Sequence, residues 1–260
     1  MKKRVFLAGI FVLAMVISAC SKTETGSQTG DASVATTVDE NGKKKSVTLI
    51  PSVLFYPEGS LWAEDDDGKM VWYNTFYQGQ VFYAYPSEEG SLSEEIFTAK
   101  MTKQGKKEPE KDLYAKVYYN NKNYWIDKDL IIPNAVPKVV IEDGYNYGSD
   151  NTADLSKTTI TKGQIVAVNP AYVKSADSDI ECYNVSWRKI GGKSSYRDVY
   201  IKKSIVSDKE DDLIAQRYLN RLDAYKKNDN QTVLSEIYEN LMSLDLSSDY
   251  KEQVQQAFAD

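Results

Sequence analysis

From Ser46 onward apolar and polar residues alternate in short runs broken by turn residues. A period of two is what a half-buried strand requires, because successive side chains point to opposite faces. Val47, Leu49, Val53 and Phe55 open the first run, and Asp67-Gly68 separates Leu61-Trp62 from Met70-Val71-Trp72. An Asp-Gly pair accommodates the positive φ of a tight turn, so a hairpin is predicted there. After Val206 the period becomes helical. Ile214, Tyr218, Leu222 and Tyr225 form one stripe, Val233, Ile237, Leu241 and Leu244 a second from about Gln231, and Tyr250, Val254 and Phe258 a third after Ser247 or Ser248. Ser207-Asp208-Lys209-Glu210 has the spacing of a capping box. Each helix carries one apolar stripe, which is expected to close a small helical hairpin or to lie on the preceding β-structure.

The first 45 residues follow neither period. Lys2, Lys3 and Arg4 precede an uncharged apolar run from Val5 to Ile17, which ends in Ser18, Ala19 and Cys20. A spanning helix needs ~20 apolar residues, so this pattern reads as a secretory signal. Ser21 to about Lys45 is rich in Ser, Thr, Gly, Asp and Lys, and is expected to form a disordered tether. Ile17-Ser18-Ala19-Cys20 resembles the lipobox of bacterial lipoproteins: an aliphatic residue, two small residues, then cysteine. The resemblance implies cleavage after Ala19 and a diacylglyceryl thioether on Cys20. Each buried CH₂ contributes ~0.8 kcal/mol, so two or three acyl chains hold firmly where one does not. It therefore assigns residues 1–19 to a signal peptide and 20–45 to a lipidated tether, and makes the membrane a partner through the lipid on Cys20. Ser21 stands where the family's inner-membrane retention signal has Asp, so the resemblance favours the outer membrane of the cell envelope. Whether the chain faces the periplasm or the outside is left open.

Internal repetition organises the β-region. Gly79-Gln80-Val81-Phe82 with Pro86 recurs as Gly163-Gln164-Ile165-Val166 with Pro170. Val117-Tyr118-Tyr119 corresponds to Val185-Ser186-Trp187, and Tyr124 to Ile131 corresponds to Val199 to Val206. The offsets are 84, 68 and 75 residues, as expected if insertions fall at turns between matched strands. Each copy resembles the bacterial SH3-like (SH3b) module, whose strand with a Lys-Gly start matches Thr161 to Val168. Its Trp-bearing strand matches Val185 to Gly191, and its final segment matches Val199 to Ile205. The first copy matches at Gln78 to Val81 and at Asn123 to Ile126. Both copies depart from the family at its Gly-Trp pair, with Asn123-Tyr124-Trp125 and Asp198-Val199-Tyr200 there instead. The expected fold is mainly β: two tandem SH3-like small β-barrels, 46–133 with an insertion and 134–206, followed by a short α-helical C-terminal segment, 207–260. The copies are expected to pack across Pro133 to Pro137.

Charge and composition narrow the chemistry. Losing Lys2, Lys3 and Arg4 takes the net charge from −6 to −9, which repels phosphate backbones, so no nucleic-acid partner is expected. Histidine is absent, which removes Ser-His-Asp triads, Cys-His pairs and His-dependent zinc sites. The acids Glu64 to Asp67 lack the alternate spacing of a calcium loop, so a solvated turn is expected, with no metal and no cofactor. Cys182, the second of two cysteines, has no histidine to activate it and is read as a half-buried thiol. The five lysines between Lys100 and Lys111 read as a solvated hairpin tip. Tyr114, Tyr118, Tyr119, Tyr124 and Trp125 are the candidate ligand-binding set. Aromatic faces with polar tips suit peptides and sugars, though the same side chains would also serve as core. The expectation is a non-catalytic binding or assembly module for an envelope protein or cell-wall peptide. The alternative is a carboxylate-dependent envelope hydrolase or a small-molecule-binding lipoprotein.

Overall fold

A computed structural model describes residues 34–38, 43–97, 112–147, 159–177, 180–227 and 231–259. The proposed signal and Cys20 lie outside the described residues, as does the lysine-rich segment 100–111. The fold is mainly β, with several antiparallel sheets and a helical C-terminus. No helix among the described residues is long and apolar enough to cross a membrane.

Three pieces of β-structure follow one another. β1 (Val34–Val38) and β2 (Lys44–Thr48) form a hairpin. The first large sheet holds β3 (Ile50–Leu54), β4 (Glu58–Glu64), β5 (Met70–Tyr77), β6 (Val81–Ala84), β7 (Glu95–Phe97), β8 (Asp112–Tyr119), β9 (Lys122–Asp127) and β10 (Ile131–Pro133). Its order is β10-β3-β6-β8-β9-β4-β5, with β7 on β8. A second sheet orders β11 (Val136–Val139), β14 (Ile165–Asp177), β15 (Ile180–Arg188) and β16 (Ser195–Lys202), beside a short ladder of β12 (Gly144–Tyr145) and β13 (Thr159–Ile160).

Two expectations are corrected here. Among the described residues no closed barrel is found: in the first sheet the β4–β5 hairpin adds onto β9, so the path ends at β5 instead of returning to β10. The tether does not extend to residue 45. Val34-Ala35-Thr36-Thr37-Val38 is a run of small and β-branched residues suited to a strand, and Ala35 is buried with Leu49 and Tyr85. The Asp67-Gly68 turn forms as expected, with Gly68 at φ 74°. Asp65 Oδ1 accepts from the backbone N–H groups of Asp67 (3.0 Å) and Lys69 (2.8 Å), which occupies that carboxylate within the turn.

The two large sheets share one register. Val53 faces Val81 as Val139 faces Ile165, and Ala84 faces Val117 as Val168 faces Val185. Val117 faces Tyr124 as Val185 faces Val199. Gly79 and Gly163, at φ 84° and 83°, donate to Leu54 O (2.7 Å) and Val140 O (2.8 Å). A 3₁₀ turn follows in each case, Lys128–Leu130 and Lys203–Ile205. Each turn's last carbonyl accepts from the first-strand side, at Phe55 N (3.1 Å) and Ile141 N (2.8 Å). These pairings carry the sequence offsets of 84, 68 and 75 residues into three dimensions.

Arginine joins the halves. Apart from Arg4 the sequence has four arginines, all in the second half, and each contacts the first. Arg188 stacks on Tyr56 (4.3 Å), Arg197 on Phe55 (4.8 Å) and Arg221 on Tyr77 (4.2 Å), while Arg217 donates to Gly79 O. A planar, weakly hydrated guanidinium can stack and donate at once, which lysine cannot do. Burial lowers the Arg217 pKa to about 10, with Glu210 opposing. Buried Gln78 and Gln164 both donate to Arg188 O, at 2.9 and 3.1 Å.

The helices are α1 (Glu210–Leu219), α2 (Leu222–Lys226), α3 (Gln231–Met242) and α4 (Ser248–Ala259). Leu213, Tyr225, Ile237, Leu241, Tyr250 and Val254 bury against Val139 and Ile165, so they pack onto the second sheet. The capping box is not formed. Lys209 takes the N-cap without a side-chain bond, because Ser207 Oγ donates instead to buried Asp212 (2.6 Å).

Candidate functional site

Pairing in the first sheet aligns one side chain from each of four strands with one residue that flanks a fifth. Trp62 on β4 faces both Trp72 on β5 and Trp125 on β9, and Trp125 faces Lys116 on β8. Tyr85, just after β6, donates its N–H to Lys116 O (2.9 Å) and extends the row. Three of the four tryptophans therefore lie in one cross-strand row, where neighbouring side chains stabilise one another by about 0.2–1 kcal/mol per pair. Lys116 Nζ sits 5.4 Å from the Trp125 ring and 5.5 Å from the Tyr85 ring, within range of a cation–π attraction. Trp125 Nε1 donates to Glu95 Oε2 (2.7 Å) and Tyr85 OH to Asn123 Oδ1 (2.8 Å). Burial, and then the neighbouring Tyr118, raise the Tyr85 pKa.

The row borders an opening in the sheet. The β4–β9 ladder is only two pairs long, Leu61 to Ile126 and Trp62 to Trp125. Past it, Ala63 and Glu64 on one side and Asn123 and Tyr124 on the other line a cleft of about 430 Å³, with Tyr73, Lys116, Lys122 and Trp125. Tyr73 arrives there through a bulge: Asn74 faces Leu61 and Trp72 faces Trp62, leaving Tyr73 unopposed. A bulge re-aims its side chain, and the Tyr73 ring lies 4.4 Å from that of Tyr124, tilted 35° to it. Burial, then the hydrogen bond and proximity of Tyr73, push the Tyr124 pKa well above its ordinary value. The lining combines aromatic faces, one amide, two ammonium groups and a single carboxylate, Glu64. Such a set can hold a flat or apolar group by stacking while its rim recognises carboxylates and amides.

Strand alternation divides the candidate set. Trp125 and Tyr124 reach the cleft, although Tyr124 is otherwise packed into the inner core with Val117 and Ile126. Tyr119 lies against that core, its ring 5.0 Å from Phe76. Tyr114 is buried with Trp62 and Trp125 on the outer face, and Tyr118 packs with Tyr83 beside the β1–β2 hairpin. Of the five, Tyr124 and Trp125 line this cleft, together with Tyr73, Lys116, Lys122, Asn123, Ala63 and Glu64, and the other three do not. The local part of this was available in sequence, since the Asp67-Gly68 hairpin sets Trp62 opposite Trp72. The short β4–β9 contact, between strands about 60 residues apart, carries no local signal.

Cys182 is fully buried rather than half-buried. Its neighbours Tyr183, Val185 and Trp187 form the second sheet's core, on the face that alternation assigns them. No family model matches this chain, and no curated protein matches it.

Proposed function

We propose that this chain is a lipid-anchored lipoprotein of the bacterial cell envelope, and that its body is a non-catalytic binding module. The cleft beside Trp125 receives an envelope protein or a cell-wall peptide. The address is supported by the basic start, the short apolar run and Ile17-Ser18-Ala19-Cys20. The resemblance to SH3b modules is supported by the repeated register and by the paired glycine turns at Gly79 and Gly163. The reading takes them as two SH3-like units, each left open. The observation that carries the binding role is the cleft itself: Tyr73, Tyr124 and Trp125 present aromatic surface, with Lys116 and Lys122 beside them. Ammonium groups next to aromatic faces suit the carboxylates and side chains of short peptides.

Retention of the chain on purified peptidoglycan and on envelope extract tests this, with the exposed Lys122→Glu variant alongside. Retention by either material, weakened several-fold by Lys122→Glu, supports the proposal. No retention at physiological salt, or retention indifferent to Lys122, overturns the cleft as the site.

A further inference from the structure

β4 and β9 diverge where the cleft lies. They pair at Leu61–Ile126 and Trp62–Trp125, and the same register continued would set Glu64 opposite Asn123. That pair is not made, although each residue stays paired on its other side, Glu64 with Met70 and Asn123 with Tyr118. Alternation along an antiparallel ladder fixes where their backbone groups point. Asp65 donates its N–H to Lys69 O (2.9 Å), so Ala63 and Asp65 bond toward β5 and Glu64 is turned away from it. Asn120 and Asn121, at φ 46° and 62°, make a two-residue turn closed by Tyr119 and Lys122. Such a turn closes on a hydrogen-bonded pair, so Lys122 and Tyr124 bond toward β8 and Asn123 is turned away. The N–H and C=O of Glu64 and of Asn123 therefore face the split, and neither strand satisfies the other there.

The split is closed at one end and charged unevenly. The Trp62–Trp125 pair closes it, with Lys116 opposite Trp125 at that end and Lys122 at the mouth. Lys116 Nζ lies against the Trp125 and Tyr85 rings and has no carboxylate within 4 Å among the described residues. Of the acids in the nearby turn only Glu64, on the β4 wall, lines the cleft. Asp65 is held by the turn's own N–H groups, and Asp67 pairs with Lys69 (3.4 Å).

We infer that the cleft takes the C-terminal end of a peptide, which lies as a short extra strand between β4 and β9 with its carboxylate at Lys116. This rests on the cleft being the binding site. An extended main chain supplies the donors and acceptors that Glu64 and Asn123 lack across the split. A chain running straight through is stopped by the Trp62–Trp125 pair, so an end must enter. An amino terminus would bring its ammonium against that of Lys116, whereas a carboxylate gains a charge-assisted hydrogen bond. The cleft's 430 Å³ is that of a site for ligands larger than one amino acid, so residues behind the terminus are held as well.

Affinity selection tests this. The full chain in detergent is dialysed against random hexapeptides in three forms: free acid, C-terminal amide, and N-acetylated free acid. A mixture of free amino acids is a fourth arm, and mass spectrometry reads what is retained. Both free-acid pools should be held alike, and amidation should lower retention about ten-fold or more. Lys116→Met should bring acid and amide level and Lys116→Arg should restore the preference, with thermal melting reporting that each variant is folded. Equal retention of acid and amide, loss of binding on N-acetylation, selection of amides through internal Asp or Glu, or binding of free amino acids alone would overturn this inference. If retention on peptidoglycan or envelope extract still depends on Lys122, the cleft stands as the site and only the carboxylate reading falls. No peptide held in any form would overturn the inference too, and loss of the envelope retention as well would remove the cleft with it.

Discussion

Three glycines share a backbone conformation but not surroundings, which allows the docking of the two halves to be weighed by experiment. Gly79, Gly90 and Gly163 have φ of 84°, 83° and 83°. An alanine at any of them must adopt a left-handed conformation, at a cost of roughly 1–2 kcal/mol, partly offset by the lost flexibility of the unfolded chain. At Gly90 nothing lies within 4 Å of an added Cβ, so the cost ends there. At Gly79 the methyl would meet Ile165 Cγ2 at 3.0 Å and Arg217 Nε at 3.2 Å, both from the second half. At Gly163 it would meet the Gln216 amide at 3.1–3.3 Å. Overpacking of this kind adds about 1–3 kcal/mol. A change of 1 kcal/mol moves Tm by about 2–4 °C in a chain of this size. Gly90→Ala should therefore lower Tm by roughly 2–4 °C and Gly79→Ala by roughly 5–10 °C, with Gly163→Ala close to the latter. Thermal unfolding followed by circular dichroism checks all three side by side. Equal shifts for Gly79→Ala and Gly90→Ala would refute the packed junction.

Asp212, fully buried, accepts from Ser207 Oγ (2.6 Å) and Ser247 N (2.9 Å), tying the start of α1 to that of α4. Asp212→Ala should cost about 2–4 kcal/mol in urea unfolding, since bonds to a buried charged acceptor are the expensive ones to lose. The phenols of Tyr124 and Tyr250 are pushed up chiefly by burial, from an ordinary value of 10.0. Their stabilising effect is complete below pH 10.0 and is lost as pH rises above it, because the unfolded chain then releases phenolic protons that the folded chain retains. Spectrophotometric titration of the 19 tyrosines should show a late-ionising class that disappears in denaturant. Cys20→Ser should leave an uncleaved chain that takes up no labelled palmitate, whereas normal processing of that variant would contradict the lipobox reading.

Much of the architecture was legible because it is written in local marks. Glycines that must take positive φ at Gly79 and Gly163 exposed the repeat, and apolar stripes placed α3 and α4 to within a residue or two. Closure into barrels was not legible, because where the β4–β5 hairpin docks depends on the β4–β9 contact, which no spacing encodes. Averaged composition hid β1, since its four β-branched residues were diluted in a polar segment. Adjacent aromatic residues misled for a related reason: Tyr118 and Tyr119 look like one patch in sequence but lie on opposite faces of β8. The arginine junction did leave a signal. Apart from Arg4 the first half has lysines but no arginine, and that asymmetry is the mark of a guanidinium interface contributed from one side.

The claim that most needs testing is that the cleft between β4 and β9 is where a partner is held. A photoactivatable amino acid at Lys122, in cells making the full chain, tests it directly, with the same residue at exposed Lys193 on the β15–β16 turn as control. The account predicts a discrete envelope adduct at position 122, reduced by Tyr73→Ala and lacking at position 193. No adduct at 122, or the same adducts at both positions, would contradict it.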